Sequence, residues 1–196
     1  MSTATHTDPG LSLYAEATPN PEALKFVCNR LLVKQGAFEF SSAEEAAGNP
    51  LVEKLFAHPN VQNVFVTQNF FSVTKTGDKR WVQLIPEIRD LIKRELSQGV
   101  AILSEQLLEE AEAEAPQDGS DVENRIRELL ESHVKPAVET DGGAIDFESF
   151  EDGVVKVKLR GSCSGCPSSM VTLKNGIENL LQRMVPEVES VEASEG

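Results

Sequence analysis

Short apolar stretches, separated by helical patterns, run through the first half of the chain. We expect strands at residues 13–17 and 26–33. Two further stretches, residues 61–67 and 70–75, are rich in Val, Phe and Thr and are separated by Gln68-Asn69, which predicts a hairpin. The first half therefore predicts a small sheet.

Helical patterns lie between and after these strands. In the segment Ser41-Ser42-Ala43-Glu44-Glu45, acids follow a capping residue three and four positions later, as in a capping box that starts a helix. A short helix is expected over residues 50–57. A longer amphipathic helix is indicated by the apolar stripe Ile85, Ile88, Leu91, Ile92 and Leu96. Pro86 is compatible with that helix only near its first turn.

The second half predicts elements in the order α-β-β-α-β, an α+β arrangement with helices on one face of a small sheet. Strands are expected at residues 144–150 and 155–160, on either side of the turn signal Asp152-Gly153, with an edge strand at 188–191. Pro136 is expected to end or kink the first helix. The two helices are predicted by apolar stripes, Val122, Ile126, Leu129, Leu130 and Val134 in the first and Leu173, Ile177, Leu180, Leu181 and Met184 in the second.

Charge is unevenly distributed along the chain. The 196 residues include 18 basic and 32 acidic ones, a net charge of −14, yet residues 11–98 are neutral overall. Residues 99–120 carry six acids and no base and are expected to form an acidic linker that its like charges hold extended. Their Ala and Glu content favours a partial helix, which has little to bury because no large apolar residue follows Leu108. We therefore predict a disordered tail over residues 1–10 and two α+β domains, over 11–98 and 121–196.

This composition argues against several classes of protein. The negative charge disfavours binding to nucleic acid and to anionic membrane surfaces. Three cysteines are too few for a disulfide-dense secreted scaffold. The first 13 residues contain neither Lys nor Arg and no apolar stretch, so no targeting signal is indicated. We expect a cytoplasmic protein with no nucleic-acid or membrane partner.

The candidate chemistry lies in Gly161-Ser162-Cys163-Ser164-Gly165-Cys166-Pro167, between a strand and a helix of the second domain. Two cysteines three positions apart can direct both sulfurs the same way around a tight turn. Pro167 suits the first position of the helix, whose N-terminus favours thiolates. Asp141 with Gly142-Gly143 is expected to form a turn that packs near this segment.

Four interpretations of the pair remain open. It could be buried and inert, although a Gly- and Ser-rich segment is a poor place for that. It could exchange disulfides, although we expect no βαβ pattern around it. A zinc site or an iron–sulfur cluster needs about four ligands, so one chain supplies half and two chains related by a twofold axis supply all of them. Spacing alone does not choose between the two metals.

Several stretches resemble a known family. Residues 136–146, Pro-Ala-Val-Glu-Thr-Asp-Gly-Gly-Ala-Ile-Asp, and residues 157–169, which include the cysteine segment, resemble the C-terminal domain of NifU, the Nfu domain. Residues 16–26, 50–56 and 64–75 resemble the N-terminal domain of Nfu-type proteins.

The resemblance implies an iron–sulfur cluster scaffold or carrier and not an enzyme. Such a protein binds a [4Fe–4S] cluster, or alternatively a [2Fe–2S] cluster, between two subunits and passes it to apo-proteins. The ligands here would be Cys163 and Cys166. The implied partners are a second copy of the chain, the upstream assembly machinery and apo client proteins. A thiol–disulfide oxidoreductase is the alternative.

The remaining thiol and the imidazoles are not expected to bind metal. Cys28 lies in an apolar stretch and is expected in the core. His6, His58 and His133 are scattered singly along the chain.

Overall fold

The computed structural model describes residues 10–113, 119–162 and 167–195. The chain divides into two compact units, Met1–Ala17 with Pro21–Ala115 and Thr18–Asn20 with Pro116–Gly196. Each unit combines a small sheet with helices, which confirms the predicted α+β class. Within the described ranges, no helix combines the length and the apolar character needed to cross a membrane.

The first unit contains a five-stranded antiparallel sheet with the strand order β1-β2-β5-β4-β3. The predicted strand at residues 13–17 and the predicted hairpin are both present. In the hairpin, Val64 lies opposite Val73 and Phe65 lies opposite Ser72. The strands are β1 Leu13–Ala17, β2 Ala23–Cys28, β3 Phe38–Phe40, β4 Val61–Val66 and β5 Phe70–Lys75.

Strand β2 begins earlier than the predicted 26–33 and ends at Cys28. Just after the strand, the Asn29 amide still donates to the Ser12 carbonyl at 3.1 Å, and the Asn29 side chain makes further bonds to the residues before β1. Its Oδ1 accepts from the Ser12 amide at 2.9 Å, and its Nδ2 donates to the Gly10 carbonyl at 2.7 Å. The chain bends after this point, and Leu31 is left largely exposed.

The capping-box pattern at residues 41–45 forms its hydrogen bonds without starting a helix. The Ser41 amide donates to the Glu45 carboxylate at 2.7 Å, and the Glu45 amide donates to Ser42 Oγ at 3.2 Å. The residues that follow form turns only. Asn49 is extended, as a residue before proline prefers, so the helix α1 begins afresh at Pro50.

Two helices, α1 Pro50–Phe56 and α2 Trp81–Ser97, bury apolar side chains in the core of the first unit. Pro86 lies in the second turn of α2, one turn later than expected. Proline removes the bond that its amide would donate to the carbonyl of Val82. The helix nevertheless continues through Pro86 to Ser97, and Val82 is an exposed residue.

The first part of the predicted linker packs on the first unit. A helix, α3 Glu105–Ala113, follows Leu103, which is buried in the core. The Ser104 amide donates to the buried Asn49 side chain at 2.9 Å, and the Leu51 amide donates to the Ala101 carbonyl at 3.1 Å. The extended chain that composition suggested is therefore absent from residues 100–113. The apolar residues of this short helix that contact the core are Leu107, Leu108 and Ala111.

The second unit begins with one helical run and continues with a three-stranded sheet. The run consists of α4 Asp121–Leu129, a π-helical turn Leu130–Val134 and α5 Lys135–Thr140. The regular α-helix predicted to end or kink at Pro136 is interrupted by the π turn just before it. Pro136 therefore lies in the first turn of α5, where its missing amide costs little.

The sheet of the second unit has the order β6-β7-β8. β6 and β7 are antiparallel and joined by the expected turn Asp152-Gly153, whereas β7 and β8 are parallel. The helix α6 connects the parallel pair, so a βαβ unit exists where none was expected. The elements are β6 Gly143–Glu151, β7 Val154–Gly161, α6 Pro167–Met184 and β8 Ser190–Glu195.

Candidate functional site

The cysteine segment lies between the end of β7 and the start of α6. Cys163 and Cys166, the predicted site residues, lie outside the described residues, as do the two residues between them. The structure describes the chain up to Ser162 and again from Pro167. What it shows is how each end of the segment is held.

The end before the segment is held by the Asp141-Gly142-Gly143 turn. Ser162 is buried, its amide donates to the Gly142 carbonyl at 3.2 Å, and its hydroxyl donates to the Asp141 carbonyl. Gly143 lies opposite Gly161 in the sheet register. Gly142 has a φ of +84° at the end of α5, a backbone conformation that favours glycine. The expected turn thus packs against the residue that immediately precedes Cys163.

The end after the segment is held by α6. This helix of 18 residues begins at Pro167, as predicted. Ile177 and Leu181 are buried in the core of the second unit. The Glu178 carboxylate accepts from the Val191 amide at 2.9 Å and so links α6 to β8. The N-terminus of a helix carries partial positive charge and unpaired amides, which stabilise a thiolate just before it.

The nearest described cation before the segment is already engaged. Arg160, on β7, donates through Nε to the Asp146 carboxylate at 2.9 Å. Asp146 lies on the neighbouring strand β6. This pairing directs the guanidinium to β6, and the start of α6, next to the cysteines in sequence, is a feature that favours thiolates.

Cys28 lies in an environment that disfavours the thiolate, in contrast to a position just before a helix N-terminus. It is buried in the core of the first unit, as expected, and burial raises the pKa of its thiol, against a smaller lowering by a backbone hydrogen bond at Arg30. A thiol with a raised pKa is a poor metal ligand, because the thiolate is the form that binds.

The described histidines contact neighbouring polar groups. His58 Nε2 lies 2.9 Å from the Glu87 carboxylate, and His133 Nδ1 lies 2.7 Å from the Ser132 hydroxyl. His6 lies outside the described residues. Among the residues that the structure does describe, no three His, Cys, Asp or Glu side chains are grouped as a metal site would require.

The βαβ unit removes one objection to thiol–disulfide exchange as the function of the cysteine pair. The absence of a βαβ pattern would count against disulfide exchange, but β7, α6 and β8 form that pattern, with the cysteine pair before the helix in sequence. The short apolar run at residues 188–191 predicts a strand but does not indicate whether that strand runs parallel or antiparallel to β7. A thiol–disulfide function therefore stays open on structural grounds.

Two family models match the chain in tandem. Residues 13–99 match "Scaffold protein Nfu/NifU N terminal", and residues 126–192 match "NifU-like domain". A solved structure, the solution NMR structure of a NifU-like protein from Saccharomyces cerevisiae, is similar over 54% of this chain and 91% of that one, with a TM-score of 0.44 and 22% identity.

Relatives cover nearly the whole chain. The chain is 41% identical over 181 residues to "NFU1 iron-sulfur cluster scaffold homolog, mitochondrial" of Drosophila ananassae, across 92% of this chain and 63% of that protein. The human protein of the same name is 38% identical, across 92% of this chain and 70% of that protein. The chain thus spans less than two thirds of the Drosophila ananassae protein and somewhat more of the human one.

These names correct one expectation. The relatives are named as mitochondrial proteins, so the cytoplasmic location predicted from the N-terminal composition is wrong. Both domain models occur in the expected order, and a relative well above 30% identity is covered over more than two thirds of its length. The chain therefore belongs to the Nfu/NifU family of iron–sulfur cluster scaffold proteins.

Proposed function

We propose that this chain holds an iron–sulfur cluster as cargo through Cys163 and Cys166 and delivers it to apo-proteins. The observation that favours this most directly is that the chain is held by packing and hydrogen bonds at both ends of the cysteine segment. Only residues 163–166 separate Ser162, which is tied to the Asp141-Gly142 turn, from the first residue of α6. Both thiols therefore belong to a short connection between two held ends.

The number of ligands calls for a second chain. A [4Fe–4S] cluster takes about four thiolates, and the segment supplies two. Cys28, the third cysteine, is buried in the other unit. Two chains related by a twofold axis supply four equivalent thiolates, so the loaded form is a homodimer with one shared [4Fe–4S] cluster. A [2Fe–2S] cluster uses the same four ligands and is the alternative cargo.

Transfer then proceeds by ligand exchange. Thiolates of an apo client replace Cys163 and Cys166 one at a time, and the client leaves with the cluster while the two chains separate. Upstream assembly machinery supplies the next cluster. The cluster changes its ligands but is not converted into a different product, so the protein acts as a carrier and not as an enzyme. Because iron binds thiolates, loading weakens as the pH falls.

Anaerobic reconstitution with iron and sulfide tests this function. The wild type should gain broad visible absorption and about four irons per dimer. Cys163→Ser and Cys166→Ser should each abolish this uptake, whereas the matched control Cys28→Ala should retain it, since that thiol is buried in the core of the first unit. A folded wild type that takes up no iron would contradict the proposal.

The same variants test the second candidate, thiol–disulfide exchange, which the βαβ unit favours. That function requires an intramolecular Cys163–Cys166 disulfide and catalysis of insulin reduction by a dithiol. If the wild type binds no iron and catalyses this reduction, and both serine variants do not, the oxidoreductase replaces the carrier.

A further inference from the structure

The outer face of α6 differs in charge from the acidic second unit taken as a whole. The residues of the second unit from 121 to 196 carry a net charge of −7, but α6 itself carries +1. Its single acid, Glu178, is bonded to the β8 backbone. The exposed residues between 171 and 179 are all uncharged, namely Val171, Thr172, Asn175, Gly176 and Asn179.

Two of these residues stand out on a surface turned to solvent. Val171 is 61% exposed although it is apolar. Gly176 lies within the helix, and a Cβ added there would meet no atom of the described structure within 4 Å. Glycine weakens a helix relative to alanine, so no neighbour among the described residues explains a glycine at this position.

The site beside this face is incomplete in one chain. Val171 lies four residues after Pro167, which is about 6 Å along the helix axis. Two chains that share a cluster through the segment before Pro167 must bring their α6 N-terminal halves close together. Each chain carries −14, so apposed acidic surfaces would repel, and the cores of protein interfaces are depleted in charge.

We propose that the carboxylate-free outer face of α6, from Val171 to Asn179, packs against a second copy of this chain when the two chains share a cluster. This inference rests on the proposed function and adds to it the surface on which the dimer forms. Val171 supplies an apolar contact about one turn after the start of the helix, and Gly176 lets the partner approach the helix backbone closely.

Replacing Val171 with an acidic residue and, separately, with a basic residue tests whether this surface forms the dimer interface. Val171→Asp and Val171→Lys each place a charge in the interface, and each should raise the dissociation constant of the loaded dimer roughly tenfold or more. A negative charge near the thiolates would by itself disfavour the cluster, whereas a positive charge would favour it. Loss of the dimer in both variants therefore isolates the contact from the charge.

The chain offers a matched control for each change. Val82 is also an exposed valine near the start of a helix, 68% exposed, and Val82→Asp and Val82→Lys should dimerise like the wild type. Asn175→Asp, with Asn124→Asp on α4 as its control, repeats the test farther from the cysteines. Circular dichroism establishes that each variant is folded.

Sedimentation of the reconstituted proteins, with iron determination, gives the result. Weaker dimers for both Val171 variants and for Asn175→Asp, with unchanged controls, support the surface. Wild-type dimerisation by these variants overturns it, as does weakening by Val171→Asp with strengthening by Val171→Lys. If the wild type itself takes up no iron, the proposed function fails, and the interface fails with it for that separate reason.

Discussion

The hydroxyl of Ser162 offers a quantitative test of how the cysteine segment is held. Ser162→Ala removes the bond to the Asp141 carbonyl but leaves the backbone bond from the Ser162 amide to Gly142 intact. A hydrogen bond contributes about 0.5–1.5 kcal/mol net, and a buried carbonyl left without a partner costs about 1–3 kcal/mol. Asp141 is only half-buried, so water can replace the hydroxyl. We therefore expect Ser162→Ala to lower the free energy of unfolding by about 1 kcal/mol, a value that lies in both ranges.

Urea unfolding followed by circular dichroism measures this loss. The matched control is Ser132→Ala, which removes a hydroxyl bond to the Glu128 carbonyl in the same unit, on an exposed helical surface. That variant should change stability little, because alanine has the higher helix propensity. Equal stability of Ser162→Ala and the wild type would refute the role assigned to this contact. A loss above about 4 kcal/mol would refute it too, by indicating a larger network.

Three further predictions concern stability. Gly176→Ala should raise the free energy of unfolding of the unloaded protein by about 0.5–1 kcal/mol in urea, since the added methyl group meets no atom of the described residues within 4 Å; a decrease would contradict this. Leu103→Ala should cost about 2–5 kcal/mol by Trp81 fluorescence, whereas an exposed linker would lose almost nothing. Hydrogen bonding from Lys54, opposed by burial and aided by Arg94, lowers the pKa of the buried Glu95 carboxyl. Its contribution is therefore present above the usual Glu pKa and is lost as the pH falls through the lowered value, so Glu95→Gln should flatten the acid limb of the stability curve.

Elements with a strong period were predictable from sequence. The hairpin of β4 and β5 and the helix α6 follow from alternating or helical patterns long enough to bury one face. The strand β3 was missed because three residues, Phe38–Phe40, are too few to show a period. The parallel direction of β8 depends on which end of the sheet α6 brings the chain back to, and an apolar pattern does not indicate the direction of a strand.

The packing of residues 100–113 was missed for a different reason. Glu and Ala dominate α3, and the few leucines that touch the core were outweighed by the surrounding charge. Burial of Leu103 and the Asn49 side-chain bond to the Ser104 amide depend on contacts distant in sequence. Of the candidate site, the motif, the helix start and the Gly142 turn were predictable, whereas the burial of Ser162 was visible only in the structure.

Native mass spectrometry of the reconstituted protein tests the central claim most directly. The account predicts a species of two chains plus one four-iron, four-sulfide cluster, which disappears in Cys163→Ser and Cys166→Ser and persists in Cys28→Ala. An iron-loaded single chain, a zinc-bridged dimer, or a folded protein that stays free of metal would contradict it.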